Sequence, residues 1–183
     1  MPSFEICAVG LSCSLSLGCS SSVIGRGTGT TSAARARFEV HIADQVSGSG
    51  RDRNRRPVEM TLTNESNDLL WVNTLMRSAT PPYFPRVSEV DLEITGPSGK
   101  VAFDCKVNTP FATEGSYRVL RPREGLTKTE ELWCYGPLDE PGTYTGQARY
   151  LDGNPQAPPA PTGAVHLSEE LVAVPFQFNV VPK

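Results

Sequence analysis

The stretch that decides the fold class is Glu140-Pro141-Gly142-Thr143-Tyr144-Thr145-Gly146-Gln147-Ala148-Arg149-Tyr150. A Pro-Gly turn leads into a segment in which Tyr144, Gly146, Ala148 and Tyr150 alternate with residues of more polar character. Successive side chains of a β-strand point to opposite faces, so this period of two is typical of a strand with one buried face. The stretch therefore predicts a turn followed by a half-buried strand.

The same alternation recurs from Arg37 onward. It is clearest in residues 37–42, 58–63, 89–95 and 172–180. Connections rich in Pro and Gly separate the segments, and the sequence Gly96-Pro97-Ser98-Gly99 is typical of a hairpin loop. About nine candidate strands and no sustained helical periodicity predict an all-β domain, built as an antiparallel two-sheet sandwich, with an open barrel as the alternative.

Two segments fit the strand pattern less well than the others. Residues 126–132 place Lys128 and Glu130 at the same parity as the two leucines, where apolar residues are expected. In the last segment, Pro175 has no backbone N–H to donate, which predicts a sheet edge or a bulge at that point. The alternation there predicts that Val172 and Val174 face the same side as Phe178.

The succession Glu140, Gly142 and Tyr144 resembles the tyrosine corner of immunoglobulin-like sandwiches, in which the phenol hydrogen-bonds to nearby backbone. A broader likeness rests on residues 120–125, 131–135, 138–144 and 174–180. On these residues, the chain from 37 to 183 resembles the immunoglobulin-like module of bacterial exported lipoproteins. Similar modules precede the catalytic domain of deuterolysin-like zinc peptidases, and a related sandwich forms the Bacillus-type proteinase inhibitor. The resemblance implies an immunoglobulin-like sandwich and carries little functional weight.

The first 18 residues predict a signal peptide. The uncharged run at residues 6–17 is shorter than the roughly 20 residues that span a bilayer as a helix. Cys19 follows Gly18 and precedes three serines, which resembles a bacterial lipoprotein cleavage site and predicts lipidation at Cys19. Residues 19–35 are rich in Ser, Gly and Thr and predict a flexible tether, and residues 36–183 predict the folded domain. The alternatives are an ordinary cleaved signal peptide and a buried N-terminal strand.

The net charge and the cysteine content limit which classes of function are possible for this protein. The net charge of −3 excludes the uniformly basic surface of a nucleic-acid-binding protein, so no nucleic-acid partner is expected. Of the five cysteines, Cys7 and Cys13 leave with the signal peptide and Cys19 takes the lipid. Cys105 and Cys134 then form an even pair in an oxidising compartment and predict a disulfide. Two separate buried thiols are the alternative.

Residues suited to catalysis or metal binding do not fall into the patterns that those chemistries need. A zinc peptidase uses two histidines one helical turn apart with a glutamate between them. Here His41 is expected on the exposed face of the first strand and His166 in a loop, far away in sequence. Ser49 lacks the strand-to-helix elbow of a nucleophile. We therefore expect no enzymatic activity, no metal and no cofactor.

Three loops are candidates for binding. An arginine-rich loop at residues 51–56 could dock acidic lipid, polysaccharide or peptide, or could be a solvated turn. Residues 152–170 carry four prolines that favour an extended path, and this loop is predicted either to bind or to be disordered. Residues 77–86 present two aromatic rings among prolines, which bind a partner or cap the core. The candidate binding residues are Arg53, Arg55, Arg56, Tyr83, Phe84, Pro158 and Pro159.

The expected function is that of a non-enzymatic binding or accessory module of the bacterial cell envelope. The protein would be a monomer, lipid-anchored or secreted, facing the periplasm or the cell exterior, with an unknown protein or polysaccharide partner. The alternative is a proteinase-inhibitor-like sandwich that inserts the loop at residues 152–170 into a protease cleft.

Overall fold

The computed structural model describes residues 35–42, 56–80, 82–85, 87–105, 112–136 and 138–181. All of them lie in the compact unit Ala33–Lys183. The predicted signal peptide, the tether up to residue 34, the lipidation site Cys19, and the candidate binding residues Arg53 and Arg55 lie outside the described residues.

Regular structure in the described ranges consists of twelve strands and a single turn of 3₁₀ helix, Glu114–Ser116. The all-β prediction is confirmed. Within the same ranges, no helix is long and apolar enough to cross a membrane. In chain order the strands are β1 (Ala36–Ile42), β2 (Pro57–Asn64), β3 (Leu69–Asn73), β4 (Ser78–Ala79), β5 (Val90–Gly96), β6 (Gly99–Lys100), β7 (Tyr117–Leu120), β8 (Gly125–Glu131), β9 (Gly142–Tyr150), β10 (Ala164–His166), β11 (Leu171–Val172) and β12 (Phe176–Val180).

Hydrogen bonds join the described strands into three sheets. Sheet A has the order β1-β2-β8, and sheet B has the order β10-β3-β7. Sheet C has the order β11-β9-β5-β4, with β12 also paired to β9 and β6 to β5. Two of these pairs, β10 with β3 and β4 with β5, are parallel. The expectation of two purely antiparallel sheets is therefore too simple for this chain.

Two stretches of chain pass from sheet A to sheet B and turn a corner near Asn64. Strand β2 pairs with β8, and after the corner β3 pairs with β7, so the same two stretches of chain run together on both sides. Asn64 is buried, and its Nδ2 donates to the carbonyl oxygens of Asp68 and Leu120. Its Oδ1 accepts from the amide and the hydroxyl of Ser66. Since buried amides need partners, this side chain holds both strands at the bend.

Replacing Asn64 by alanine should lower the free energy of unfolding by about 2–3 kcal/mol, because the Asp68 and Leu120 carbonyl oxygens and the Ser66 amide and hydroxyl lose their partner. Urea denaturation measures the loss. The matched control is Asn179→Ala, which removes an exposed amide bonded to the Thr143 hydroxyl and should change stability by about 0.5 kcal/mol or less. Equal losses in the two variants would contradict a special role for Asn64.

Sheets A and C contribute side chains to one hydrophobic core. The rings of Phe38 on β1 and Tyr150 on β9 lie 5.8 Å apart, and Tyr144 stacks on Phe178 at 5.1 Å. The four positions of β9 that alternation placed inward are all buried. The period-two pattern therefore identified the buried face of this strand correctly.

Tyr144 also forms the hydrogen bond expected of a tyrosine corner. Its side chain is almost fully buried, and its hydroxyl donates to the Glu140 carbonyl oxygen at 3.1 Å. Burial raises the pKa of the Tyr144 phenol, and the nearby Glu140 carboxylate adds to this shift. The phenol therefore stays protonated and remains a donor. The predicted contact is confirmed.

The segment that fitted the strand pattern least well is β8, and its residues Lys128 and Glu130 do face inward. Lys128 pairs with Glu130 at 2.8 Å and donates to the Leu75 carbonyl oxygen. Glu130 accepts from the amide and the hydroxyl of Ser78, each at 2.9 Å. In the described part of the chain β8 pairs with β2 alone, so it is an edge strand. Inward charges on an edge strand disfavour pairing with another chain.

A β-bulge at Pro175 interrupts the pairing of β11 and β12 with β9. Leu171 lies opposite Tyr150, and Phe176 lies opposite Gly146. Five steps along the β11–β12 side therefore match four steps along β9, which means that one residue is extra. The predicted edge or bulge at Pro175 is confirmed as a bulge.

The bulge reverses the side chains that precede it. Leu171 and Ala173 are buried, whereas Val172 and Val174 are 58% and 81% exposed. The prediction that Val172 and Val174 face the same side as the buried Phe178 is wrong. One extra residue in a structure of period two turns every side chain before it to the other face.

Candidate functional site

The two proline-rich loops predicted to bind lie against each other. Gly153 is so close to the first loop that a Cβ at this position would lie 2.6 Å from Cγ of Pro85. Only a residue without a side chain permits this approach. We call residues 82–85 and 153–163 together the paired-loop surface.

The candidate residues on these loops are accessible. Tyr83, Phe84 and Pro158 are partly exposed, and Pro159 is exposed. Neither ring belongs to the buried core. The alternative in which both rings cap the core is therefore wrong. Phe84 instead lies under the guanidinium of Arg149, which is 5.6 Å from the ring centroid.

The long loop is fixed to sheet B. The indole Nε1 of Trp71 donates to the Pro158 carbonyl oxygen at 3.3 Å, and Asn154 Nδ2 donates to the Ala112 carbonyl oxygen at 3.0 Å. Strand β10, which lies within the loop, pairs with β3. The alternative that residues 152–170 are disordered is therefore wrong, because backbone and side-chain bonds hold this loop at several points.

Asp152 lies at the centre of a buried polar network beneath the loop. Its side chain has no exposed surface, and its Oδ2 lies 2.8 Å from both the Tyr117 hydroxyl and Nε2 of His166. Its Oδ1 lies 3.4 Å from Asn73 Nδ2 and 3.3 Å from the Asn154 amide. The carboxylate can only accept, so Nε2 of His166 carries the proton in this pair. These bonds join the ends of β3, β7, β9 and β10.

A second acidic residue, Glu89, extends the network. Its Oε1 accepts from Asn73 Nδ2 at 3.0 Å and from Arg77 Nη2 at 2.7 Å. Its Oε2 accepts from the Arg77 amide and Nε. Burial raises the pKa of the Tyr117 phenol, and the Asp152 and Glu89 carboxylates add to the effect. Tyr117 is therefore a permanent donor to Asp152 at neutral pH.

Sequence reasoning missed this network. His166 was predicted to lie in a loop and instead ends β10, while His41 is exposed on β1 as expected. Asn73, Tyr117 and His166 each lie at one end of a short strand. A polar residue at the end of a short strand was the signal in the sequence that could have pointed to this network. It does not reveal which strand ends meet, because this depends on pairing between distant segments.

Arg56 does not lie on the docking surface that the charge pattern predicted. It is 5% exposed, and its guanidinium lies over the Phe178 ring at 5.2 Å. Burial lowers the pKa of Arg56, and its Nε and Nη1 have no hydrogen-bond partner in the described part of the chain. The prediction failed because Arg56 directly precedes β2, where the chain already enters the core.

The Asp152–His166 pair has the carboxylate–imidazole geometry that hydrolases use to orient a base. The other groups bonded to Asp152 are the Tyr117 phenol, the Asn73 side-chain amide and the Asn154 backbone amide. Across the described ranges, no three His, Cys, Asp or Glu side chains are grouped so that they could hold a metal ion. What this arrangement does chemically is to fix the conformation of the loop above it.

Comparison with known proteins identifies no family: no protein-family model matches the chain, and no curated protein matches it. The paired-loop surface and the network beneath it are therefore the basis on which a function can be inferred.

Proposed function

We propose that this protein is a non-enzymatic binding module of the bacterial cell envelope, lipid-anchored or secreted, and that the paired-loop surface is its binding site. The observation that supports this most is that the long loop is held in place before any partner arrives. Trp71 fixes the backbone at Pro158, and the Asp152 network fixes the base of the loop. A preorganised loop loses little conformational entropy on binding.

The chemistry of the surface suits a protein or polysaccharide partner. Tyr83 and Phe84 offer aromatic rings beside prolines, and such rigid aromatic side chains are common anchors of interfaces. Pro158 and Pro159 add apolar surface on the second loop. The protein would bind as a monomer, because the inward charges of β8 disfavour edge-to-edge pairing.

We infer further that sheets A and C are the two faces of an immunoglobulin-like sandwich and that sheet B is an extension of sheet A. The ring contact between Phe38 and Tyr150 and the tyrosine corner at Tyr144 support this. Loops at the ends of such sandwiches are common binding sites.

The lipid anchor at Cys19 and the location in the envelope belong to the same proposal. The disulfide between Cys105 and Cys134 supports export, because such bonds persist in oxidising compartments. An exported domain on a lipid anchor would present its loops to partners at the cell surface or in the periplasm.

Tyr83→Ala combined with Pro159→Gly should reduce capture of envelope partners by about tenfold or more, because it removes anchors from both loops. The measurement is quantitative pull-down from envelope extracts with the full-length protein. Pro122→Gly is the matched control, since this exposed proline lies in the turn between β7 and β8. Equal capture by wild type and the double variant would contradict the proposed site.

Gly153→Ala tests the same surface without removing any exposed group. A Cβ at this position would push Pro85 away and separate the two loops. Gly125→Ala is its control, because a Cβ there would meet nothing closer than Thr63 Oγ1 at 3.7 Å. Loss of capture in Gly153→Ala alone is expected. Full capture by this variant would show that the juxtaposition of the loops is not needed.

A proteinase-inhibitor-like sandwich using residues 152–170 is the second candidate. The bond from Trp71 to the Pro158 carbonyl favours it, because an inhibitory loop must be held extended by its backbone. Assay against a panel of proteases separates the two candidates. Inhibition that Pro159→Gly weakens would support the inhibitor, whereas inhibition of no protease class would exclude it.

A further inference from the structure

A groove lies where the β5–β6 hairpin meets the segment before β9, and it shares no lining residue with the paired-loop surface. Its volume is about 270 Å³. We call it the hairpin groove. Its lining includes Ser98, Lys100, Val101, Asp139, Glu140 and Tyr144.

The hairpin groove exists because position 96 has no side chain. A Cβ on Gly96 would lie 2.5 Å from Cε1 of Tyr144 and would clash with this ring, which forms the inner wall. Tyr144 cannot move aside, since its hydroxyl is bonded to the Glu140 carbonyl oxygen and its ring stacks on Phe178. The groove is therefore a fixed feature of the tyrosine corner at Tyr144.

The outer wall of the groove is held by several bonds. The Gly136 amide donates to the Ala102 carbonyl oxygen, and the Asp104 amide donates to the Cys134 carbonyl oxygen, both at 2.7 Å. The disulfide from Cys105 to Cys134 closes the end of this wall. A wall fixed in this way keeps its shape without a ligand.

An exposed tryptophan, Trp133, directly precedes Cys134 in the chain. Trp133 follows Leu132, whose carbonyl oxygen accepts from the Tyr135 amide, so the indole lies in a tight turn. The residue is 65% exposed. The face of an indole attracts the cationic groups of Lys and Arg.

The rim of the groove is acidic. Asp139 and Glu140 are exposed, and in the described part of the chain neither carboxylate is bonded to a basic side chain. The one lysine in the lining, Lys100, is already paired with Glu93 at 3.0 Å. Among the described residues, the rim therefore carries two carboxylates that no basic side chain pairs with.

We propose that the hairpin groove binds a basic peptide segment. A Lys or Arg side chain of the partner would enter the groove between Asp139 and Glu140, and a second one would lie on the face of Trp133. This site is separate from the paired-loop surface, so the proposal stands whether or not that surface binds a partner.

The test uses the full-length protein and fluorescein-labelled hexa-arginine, with the dissociation constant measured by fluorescence anisotropy. Asp139→Asn combined with Glu140→Gln should weaken binding by about tenfold, and Trp133→Ala by about threefold. The matched control is Asp68→Asn combined with Glu114→Gln, which removes the same charge from exposed acids outside the groove. This control should change the constant less than about twofold.

Two results would overturn the proposal. Equal weakening by the groove and control variants would show that the peptide responds only to overall charge. Competition by a neutral hexasaccharide that depends on Trp133 but not on Asp139 and Glu140 would show that the groove is a sugar site. Thermal unfolding of each variant checks that the fold is kept. If the Tyr83 and Pro159 variants do not reduce capture of envelope partners, this contradicts the paired-loop surface as a binding site and does not affect the test of the hairpin groove.

Discussion

Replacing Cys105 and Cys134 together by alanine should lower the free energy of unfolding by about 3–4 kcal/mol. The bond joins positions 29 residues apart, and closing a loop of that length removes conformational freedom from the unfolded chain. Stabilities of single domains are about 5–15 kcal/mol, so this is a large share. Urea denaturation without reductant is the measurement.

Wild-type protein denatured in the presence of reductant is the internal control for the disulfide. It should lose as much stability as the double variant, because both lack the same cross-link. A loss of less than about 1 kcal/mol in either case would show that the cross-link does not constrain the unfolded chain as expected. A mass measurement under non-reducing conditions checks that the wild type is oxidised at the start.

Replacing Asp152 by alanine should lower the free energy of unfolding by about 3–4 kcal/mol and release the long loop. The change leaves the Tyr117 hydroxyl and the His166 imidazole without their buried acceptor, whereas the Asn73 amide keeps its bond to Glu89. Each donor left unpaired in the interior costs about 1–3 kcal/mol. Urea denaturation measures the stability, and amide hydrogen exchange over residues 153–163 measures the release.

Two further variants make the Asp152 prediction specific. Asp139→Ala removes an exposed aspartate and should change stability by about 0.5 kcal/mol or less. Tyr117→Phe removes the two bonds of the phenol, to Asp152 and from Asn154, and should cost about 2 kcal/mol, which keeps the test valid if Asp152→Ala does not fold. Wild-type protection of the loop amides in both network variants would contradict the conclusion that the network holds the loop.

Much of the fold could be predicted because its signals are local. The alternation in residues 140–150 marked the strand β9 and its buried face, and the Pro-Gly turn before it marked the start. Pro175 marked the bulge, because the missing N–H acts at that residue whatever surrounds it. The pairing of Cys105 with Cys134 followed from counting the cysteines outside the predicted signal peptide and lipidation site.

The sequence did not predict side-chain burial correctly where contacts with distant residues override the local alternation pattern. Val172 and Val174 are exposed because the extra residue before Phe176 turns the strand over, and its position depends on pairing with β9. Lys128 and Glu130 fit an inward face only because Leu75 and Ser78 supply partners there. Arg56 is buried because of the Phe178 ring, more than a hundred residues away.

By itself, then, the amino-acid sequence determined the fold class, the positions of the turns between strands and the disulfide. Backbone propensities and the alternation of side chains along a strand act between near neighbours. Only the tertiary structure decided that the loops at Pro85 and Gly153 touch, that Asp152 meets His166 and Tyr117, and that a groove opens where the β5–β6 hairpin meets the segment before β9. Each of these sites is assembled from segments far apart in the chain. Their meeting depends on strand pairing and core packing, which no single segment encodes.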